Sequence, residues 1–261
     1  MIGLKLPFKN TYNLEGYLLK NFIEHKIPVL GIEPASNIAK IATKNGIPTL
    51  EKFFNTDCAN ELKEKNQQAD LLLGNNVLAH VPNINNFIAG MKILLKPNGI
   101  ITMEFPHILQ LIKQNQFDTI YHEHFSYFSF FVIQKIFLSK GLTIFDVEEI
   151  PTHDGSLRIF AKHSENKLFE IKESVESLVK KEKEYGLDNM LTYLDFSKKI
   201  ENILSYVIKG IGNINIDSEL LEKDNNLAKF SIYVFDVTDP KNKIPLTSNS
   251  EGWHDEEYIL Y

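Results

Sequence analysis

Ile27-Pro28-Val29-Leu30-Gly31-Ile32-Glu33 is an apolar run closed by a single acid. It reads as a strand buried on both faces, the pattern of a parallel sheet covered by helices. An amphipathic helix over Tyr17-Leu18-Leu19-Lys20-Asn21-Phe22-Ile23 precedes it. A second helix from Ala35 to Lys44 follows and stops at Asn45-Gly46, a helix-terminating pair. The same alternation continues down the chain. Strands are expected at 47–50, 69–74 and 100–105, with helices at 57–65 and 84–95, and Lys96-Pro97-Asn98-Gly99 marks a turn. Strands and helices alternating at this spacing predict an α/β fold.

Beyond that, a helix over 131–140 closed by Gly141 leads into two strands, 142–147 and 157–161. The loop between them, Ile150-Pro151-Thr152-His153-Asp154-Gly155-Ser156, makes them an antiparallel hairpin that finishes the sheet. The expected divisions are a sheet domain over 1–163, a charged helical connector over 164–209 interrupted at Gly186, and a polar tail over 210–261. That tail is rich in Asn and Asp, with one apolar run from Phe230 to Val237.

Composition narrows the function classes. The 261 residues are 43% hydrophobic and 24% charged, ordinary for a globular protein, and the net charge of -6 lacks the basic balance of a nucleic-acid binder. A single cysteine, Cys58, excludes an internal disulfide and a multi-cysteine zinc site. No run approaches the roughly 18 apolar residues of a membrane span. The expectation is a soluble, cytoplasmic protein with no nucleic-acid or membrane partner.

In parallel α/β sheets, ligands sit at the carboxyl ends of the strands. Glu33 ends one strand there, Asn75-Asn76 another and Pro106-His107 a third. An acid in the place of Glu33 can accept hydrogen bonds from both hydroxyls of a ribose, and Phe53 or Phe54 can lie against an adenine. An exposed strand-end carboxylate is an equal reading of Glu33 alone, and a nicotinamide protein and a methyltransferase would both place an acid there.

The densest chemistry lies in Asp118-Thr119-Ile120-Tyr121-His122-Glu123-His124-Phe125-Ser126-Tyr127. A phenol, two imidazoles and a carboxylate occupy consecutive positions within an aromatic frame, the groups that carry proton transfer. Metal binding by His122, His124 and His107 is disfavoured, because the spacing does not match the helical His-Glu-x-x-His pattern and no cysteine assists. No metal is expected.

This stretch resembles the signature of S-adenosylmethionine-dependent sugar C-methyltransferases, which methylate a ring carbon of nucleotide-linked keto-deoxysugars. The resemblance extends to Gly31-Ile32-Glu33-Pro34-Ala35, Asn75-Asn76-Val77-Leu78-Ala79-His80-Val81-Pro82, Lys96-Pro97-Asn98-Gly99, Glu104-Phe105-Pro106-His107 and Gly155-Ser156-Leu157-Arg158, covering roughly residues 16 to 205. It implies a Rossmann-like class I methyltransferase sheet and S-adenosylmethionine as cofactor. It makes His124 the base, with Tyr121, Glu123 and His80 beside it. Gly16, Glu33, Pro34, Phe53, Phe54, Asn75 and Asn76 are the implied cofactor residues. His107, Ser156 and Arg158 are the implied contacts to a nucleotide-linked sugar. Two features depart from the family. The first strand and its glycine loop correspond to Met1 to Gly16, where only Asn13-Leu14-Glu15-Gly16 matches. The cysteine-rich module before them and the second Rossmann-like domain after Gly210 have no counterpart. A truncated, inactive relative that binds a nucleotide-sugar or a protein partner is therefore the second expectation.

Overall fold

The computed structural model describes residues 2–4, 17–212, 233–236 and 239–245. The sheet is built from β1 (Ile2–Leu4), β2 (Leu30–Ile32), β3 (Thr49–Leu50), β4 (Ala69–Asn75), β5 (Leu95–Pro106), β6 (Leu142–Ile150) and β7 (Ser156–His163). Its strand order is β3-β2-β1-β4-β5-β7-β6. The pairings from β3 across to β5 are parallel, whereas β7 runs antiparallel to both β5 and β6. This is an α/β fold of the class I methyltransferase kind. The chain turns from one half of the sheet to the other between β1 and β4, and in such sheets ligands bind where strand order reverses.

The amino-terminal stretch, which showed no long apolar strand in the sequence, supplies an interior strand of the sheet. Ile2 pairs with Leu30 on one side and Leu72 on the other. β2 is shorter than its apolar run. Pro28 has no N–H to donate, and Ile27 N is already committed to Phe22 O at 2.9 Å, closing helix α1 (Tyr17–Glu24). The turn at Lys96-Pro97-Asn98-Gly99 is absorbed into β5 as a bulge, where pairing jumps from Ala69↔Leu95 to Leu71↔Ile100. Gly99 permits it, because a Cβ there would meet the carbonyl oxygens of Ala69 and Asp70 at 3.0 Å.

Helices α2 (Ser36–Lys44), α3 (Thr56–Glu64) and α4 (Ile84–Leu94) connect the parallel strands. Asn55 and Asn83 cap α3 and α4, each accepting from a backbone N–H three residues on. A short helix that the sequence pattern did not reveal, α5 (Ile108–Gln114), follows β5, and α6 (Phe130–Ser139) precedes β6. Past the hairpin, helix starts later than the charged pattern implied. Lys162 is 5% exposed and donates to the carbonyls of Asn166 and Phe169, which holds the chain in a loop until α7 (Glu173–Tyr185). Gly186, left-handed at φ 89°, ends α7 as expected, and α8 (Met190–Gly212) follows. In the tail, β8 (Tyr233–Asp236) and β9 (Asp239–Pro245) pair as an antiparallel hairpin where the sequence showed only one apolar run. No helix among the described residues is long and apolar enough to cross a membrane.

The segment beyond His163 packs on the sheet domain. Val175 and Leu178 of α7 join the main core, and Leu187, Phe196 and Ile200 bury against Leu109, Leu111 and Ile112 of α5. One polar contact ties these parts together. Glu182 of α7 is fully buried, and His107 at the end of β5 donates to its Oε1 at 2.6 Å. The first two N–H groups of α6, from Phe130 and Phe131, donate to the same carboxylate. Those groups have no partner within their own helix, and a negative charge at a helix start is favoured by the helix dipole.

Glu182→Ala leaves these donors buried without an acceptor, which costs roughly 3–5 kcal/mol. At about 2–4 °C per kcal/mol for a domain of this size, the thermal midpoint falls by on the order of 10 °C. Calorimetry or circular dichroism melting checks this, with Glu182→Gln, which keeps an acceptor oxygen, showing a smaller loss.

Candidate active site

The path from β5 to α6 determines where the signature residues lie. After α5 the chain makes a single 3-10 turn, Phe117–Thr119, then loops back under Ala79. Phe125 N and Ser126 N both donate to Ala79 O, at 2.7 and 3.3 Å, so the loop is docked on the 3-10 turn Leu78–His80 that follows β4. Phe128 anchors its far end, buried edge-on against Phe105. Tyr127 closes the loop on itself, its hydroxyl donating to Thr119 O and accepting from Tyr121 N. Burial pushes that hydroxyl well above the usual tyrosine range, so it stays protonated as the bonding requires.

This docking gathers His80, Tyr121 and His124 at the carboxyl edge of the sheet. The Nδ1 of His124 lies 3.0 Å from Thr119 O, and the Nδ1 of His80 lies 2.8 Å from Glu123 O. A carbonyl can only accept, so both rings carry their proton on Nδ1 and present a lone pair at Nε2. The hydroxyl of Tyr121, at 3.2 Å, donates to Nε2 of His124. The two imidazoles meet edge-to-face with centroids 4.6 Å apart. Burial, with His124 alongside, lowers the His80 pKa from its ordinary 6.5 to about 4. Burial also holds His124 below the ordinary histidine value, against the opposing effects of Thr119 O and the Glu123 carboxylate. Tyr121 is raised by burial and then by Glu123. The result is a neutral imidazole with a fixed tautomer and an unprotonated nitrogen beside a phenol. Such a group can take a proton.

The candidate cofactor residues lie along the same edge. Glu33 is 2% exposed at the end of β2, its Oε1 accepting from Ala35 N at 2.9 Å across Pro34. Phe54 is buried edge-on against Phe87 and belongs to the core, whereas Phe53 is 74% exposed, so of the two only Phe53 is open to a ligand. Asn75 is exposed, and Asn76 is left-handed at φ 53° with its N donating to Glu104 O. The buried Oδ1 of Asn76 has no hydrogen-bond partner among the described residues. A buried carboxylate suited to ribose hydroxyls and an unpaired acceptor suited to an ammonium group fit a sulfonium nucleoside. Gly16 lies outside the described residues.

The candidate substrate residues are more dispersed. His107 is 1% exposed, with Nε2 taken by Glu182, and has no open face for a substrate. Ser156 is also buried, its hydroxyl donating to Thr152 O. Arg158 is partly exposed and spans two carboxylates, Glu104 at 3.1 Å and Glu148 at 3.6 Å. Among the described residues no three metal-ligating side chains come together.

A family model described as a methyltransferase domain matches residues 15–147. The chain belongs to the methyltransferase family. A second model, a C-methyltransferase C-terminal domain, matches residues 151–218 of this methyltransferase. The curated C-methyltransferase NovU of Streptomyces niveus is 32% identical over 191 residues, which take in 73% of this chain. The chain spans 45% of the length of that relative. Among solved structures, a chain from the complex of the Haloferax volcanii Trm112 methyltransferase activator with a methyltransferase aligns at a TM-score of 0.48 and 12% identity, covering 62% of this chain and 82% of its own. The magnesium protoporphyrin IX methyltransferase of Synechocystis PCC 6803, with bound SAH, aligns at 0.47 and 14%, covering 62% and 74%.

Two residues beside the candidate site were not singled out from the sequence as site residues. Glu104 is 5% exposed and receives both Thr152 Oγ1 and Arg158, and His153 approaches Asn76 from the hairpin turn. An acid inside an otherwise apolar strand, 102–105, was the available signal for Glu104.

The depressed histidine at position 80 predicts a pH dependence of stability. Its folded pKa of about 4 lies below the ordinary 6.5, so the unfolded chain binds more protons between those values. The contribution is complete above 6.5 and is lost as pH falls toward 4. Melting curves taken from pH 7 to 5 show the midpoint falling, and His80→Asn, which keeps a donor for Glu123 O, flattens that slope.

Proposed function

We propose that the chain is an S-adenosylmethionine-dependent C-methyltransferase that acts on a carbon beside the ketone of a nucleotide-linked keto-deoxysugar. The observation that carries this reading is the neutral His124, its Nε2 lone pair facing the Tyr121 hydroxyl. The relationship to a curated C-methyltransferase supports it. When bound, the cofactor supplies an electrophilic methyl group on a sulfonium.

The protein's own part is to make the acceptor carbon nucleophilic. His124 Nε2 takes the proton from the carbon beside the ketone, and the electron pair of the broken C–H bond moves into an enolate. As Nε2 becomes N–H, the Tyr121 hydroxyl loses its acceptor. It then donates to the oxygen on which charge develops. The Glu123 carboxylate offsets the new imidazolium. His80, which stays neutral, holds the loop through Glu123 O. The aromatic frame around Tyr127 limits water and strengthens these contacts. Arg158 receives the substrate's diphosphate by exchanging its long contact to Glu148 for a phosphate oxygen, to which its fork is suited. Glu33 holds the cofactor ribose.

Thermal unfolding with S-adenosylhomocysteine tests the cofactor half. At about 100 times its dissociation constant, ligand adds roughly 2.7 kcal/mol, a rise of several degrees that Glu33→Ala diminishes. A folded chain that shows no shift is an inactive relative instead. In turnover assays His124→Ala lowers kcat by about 10²–10⁴. Because His124 is held below the ordinary histidine value, the acid limb of kcat/KM is centred below pH 6.5. An acid limb centred at or above 6.5 would assign the base to another group.

A further inference from the structure

The turn between β6 and β7 is strained in a way that proton abstraction at His124 does not require. His153 (φ 52°) and Asp154 (φ 54°) are both left-handed, a region L-residues disfavour, and Gly155 follows at φ 126°. Gly155 has no alternative there, since a Cβ would lie 2.5 Å from Gln110 Cγ. Strain of this kind persists only where the surroundings over-determine it, and it clusters at ligand sites.

Here the surroundings do so. Gln114 and Gln116 both donate to Asp154 O, His107 N donates to Gly155 O, and Ser156 Oγ donates to Thr152 O. Thr152 Oγ1 donates to Glu104 Oε1, and Glu104 O accepts from Asn76 N at 2.7 Å. Glu104 therefore holds two separate left-handed residues, Asn76 through its carbonyl and the His153 turn through its carboxylate. Arg158 holds Glu104 in turn.

The product of this arrangement is one contact across the edge of the sheet. Nδ2 of Asn76 lies 3.4 Å from Nε2 of His153. It is a long hydrogen bond, beyond the roughly 2.7–3.2 Å usual for N–H···O. An N–H donor and a ring nitrogen acceptor, backed by held backbone and joined only by this long contact, can both turn to a hydroxyl group. Its oxygen accepts from the amide while its hydrogen goes to the imidazole. A carbonyl oxygen or a deoxygenated carbon cannot do both. Asn76 directly follows β4 and leads into the 3-10 turn that carries His80, which puts the pair on the edge of the sheet where His80 and His124 meet.

We propose that Asn76 and His153 grip a ring hydroxyl of the acceptor sugar and select for its presence. This assignment rests on the methyl-transfer reading of the site. A site built to bond a hydroxyl discriminates strongly against the analogue that lacks it, because its own polar groups are then left unpaired.

The test uses the full chain with a thymidine-diphosphate-linked 4-keto-6-deoxyhexose and its analogues lacking one ring hydroxyl each. His153→Asn suits the left-handed backbone while withdrawing Nε2. Asn76→Asp also suits it, keeps Oδ1 and removes the N–H. The expected result is that each variant raises KM for the hydroxylated acceptor about tenfold or more with a much smaller change in kcat. The double variant is little worse than either single one. One deoxy analogue loses affinity with wild type but not with the variants, and the shift produced by S-adenosylhomocysteine is unchanged in His153→Asn. His153→Gly, equally at home in this conformation, replaces His153→Asn if the latter melts early. If wild type turns over while the variants keep KM within twofold, the grip is overturned and methyl transfer stands. If kcat alone falls, the pair positions the base and the grip is likewise overturned. If wild type neither binds the cofactor product nor turns over, the methyl-transfer reading itself fails and the grip with it.

Discussion

A single buried carboxylate holds the working parts of this molecule in register. Glu182 receives the ring N–H of His107, which ends β5, and the first two N–H groups of α6, which begins at Phe130. Everything between those two points, residues 108–129, is the excursion that carries the signature chemistry. Its two ends are thus held at one point inside the protein, by a residue contributed from a helix beyond the sheet. Without that point the loop would be a long, open closure. With it, docking on Ala79 O and the buried ring of Phe128 suffice to position Tyr121 and His124.

The site inside that loop is electrostatically economical. Histidine bases are often oriented by a carboxylate, which also stabilises the imidazolium and raises its pKa. Here the acceptors at Nδ1 are backbone carbonyls of Thr119 and Glu123, which set the tautomer without adding a formal charge. Burial, and then His124 in edge contact, depresses protonation of His80. The Glu123 carboxylate is exposed to solvent, so its upward pull on the His124 pKa is outweighed by burial.

Much of this was legible in the sequence where a residue announces its own environment. The acid-ended strand at Glu33, the strand ends at Asn75 and Pro106, the hairpin over 142–161 and the helix stop at Gly186 all follow from apolar runs, turn residues and breakers. What stayed hidden depended on distant partners. The strand Ile2–Leu4 is too short to show a period, yet it sits in the interior of the sheet because two neighbours supply its ladder. His107 reads as a strand-end ligand, but its partner Glu182 lies 75 positions later, so burial could not be inferred locally. Phe53 and Phe54 are indistinguishable as residues, and only the packing of Phe87 separates the exposed ring from the buried one. Glu104 and His153 act through contacts across strands, which no linear spacing encodes.

The position of Glu182 in the chain also orders events during synthesis. All the strands of the seven-stranded sheet have emerged by His163, and a sheet can form as soon as its strands are available. The first turn of α6 and the ring of His107 must then wait for α7 to leave the ribosome before they find their acceptor. A nascent chain therefore has every strand of the sheet before the loop over residues 108–129 gains its anchor.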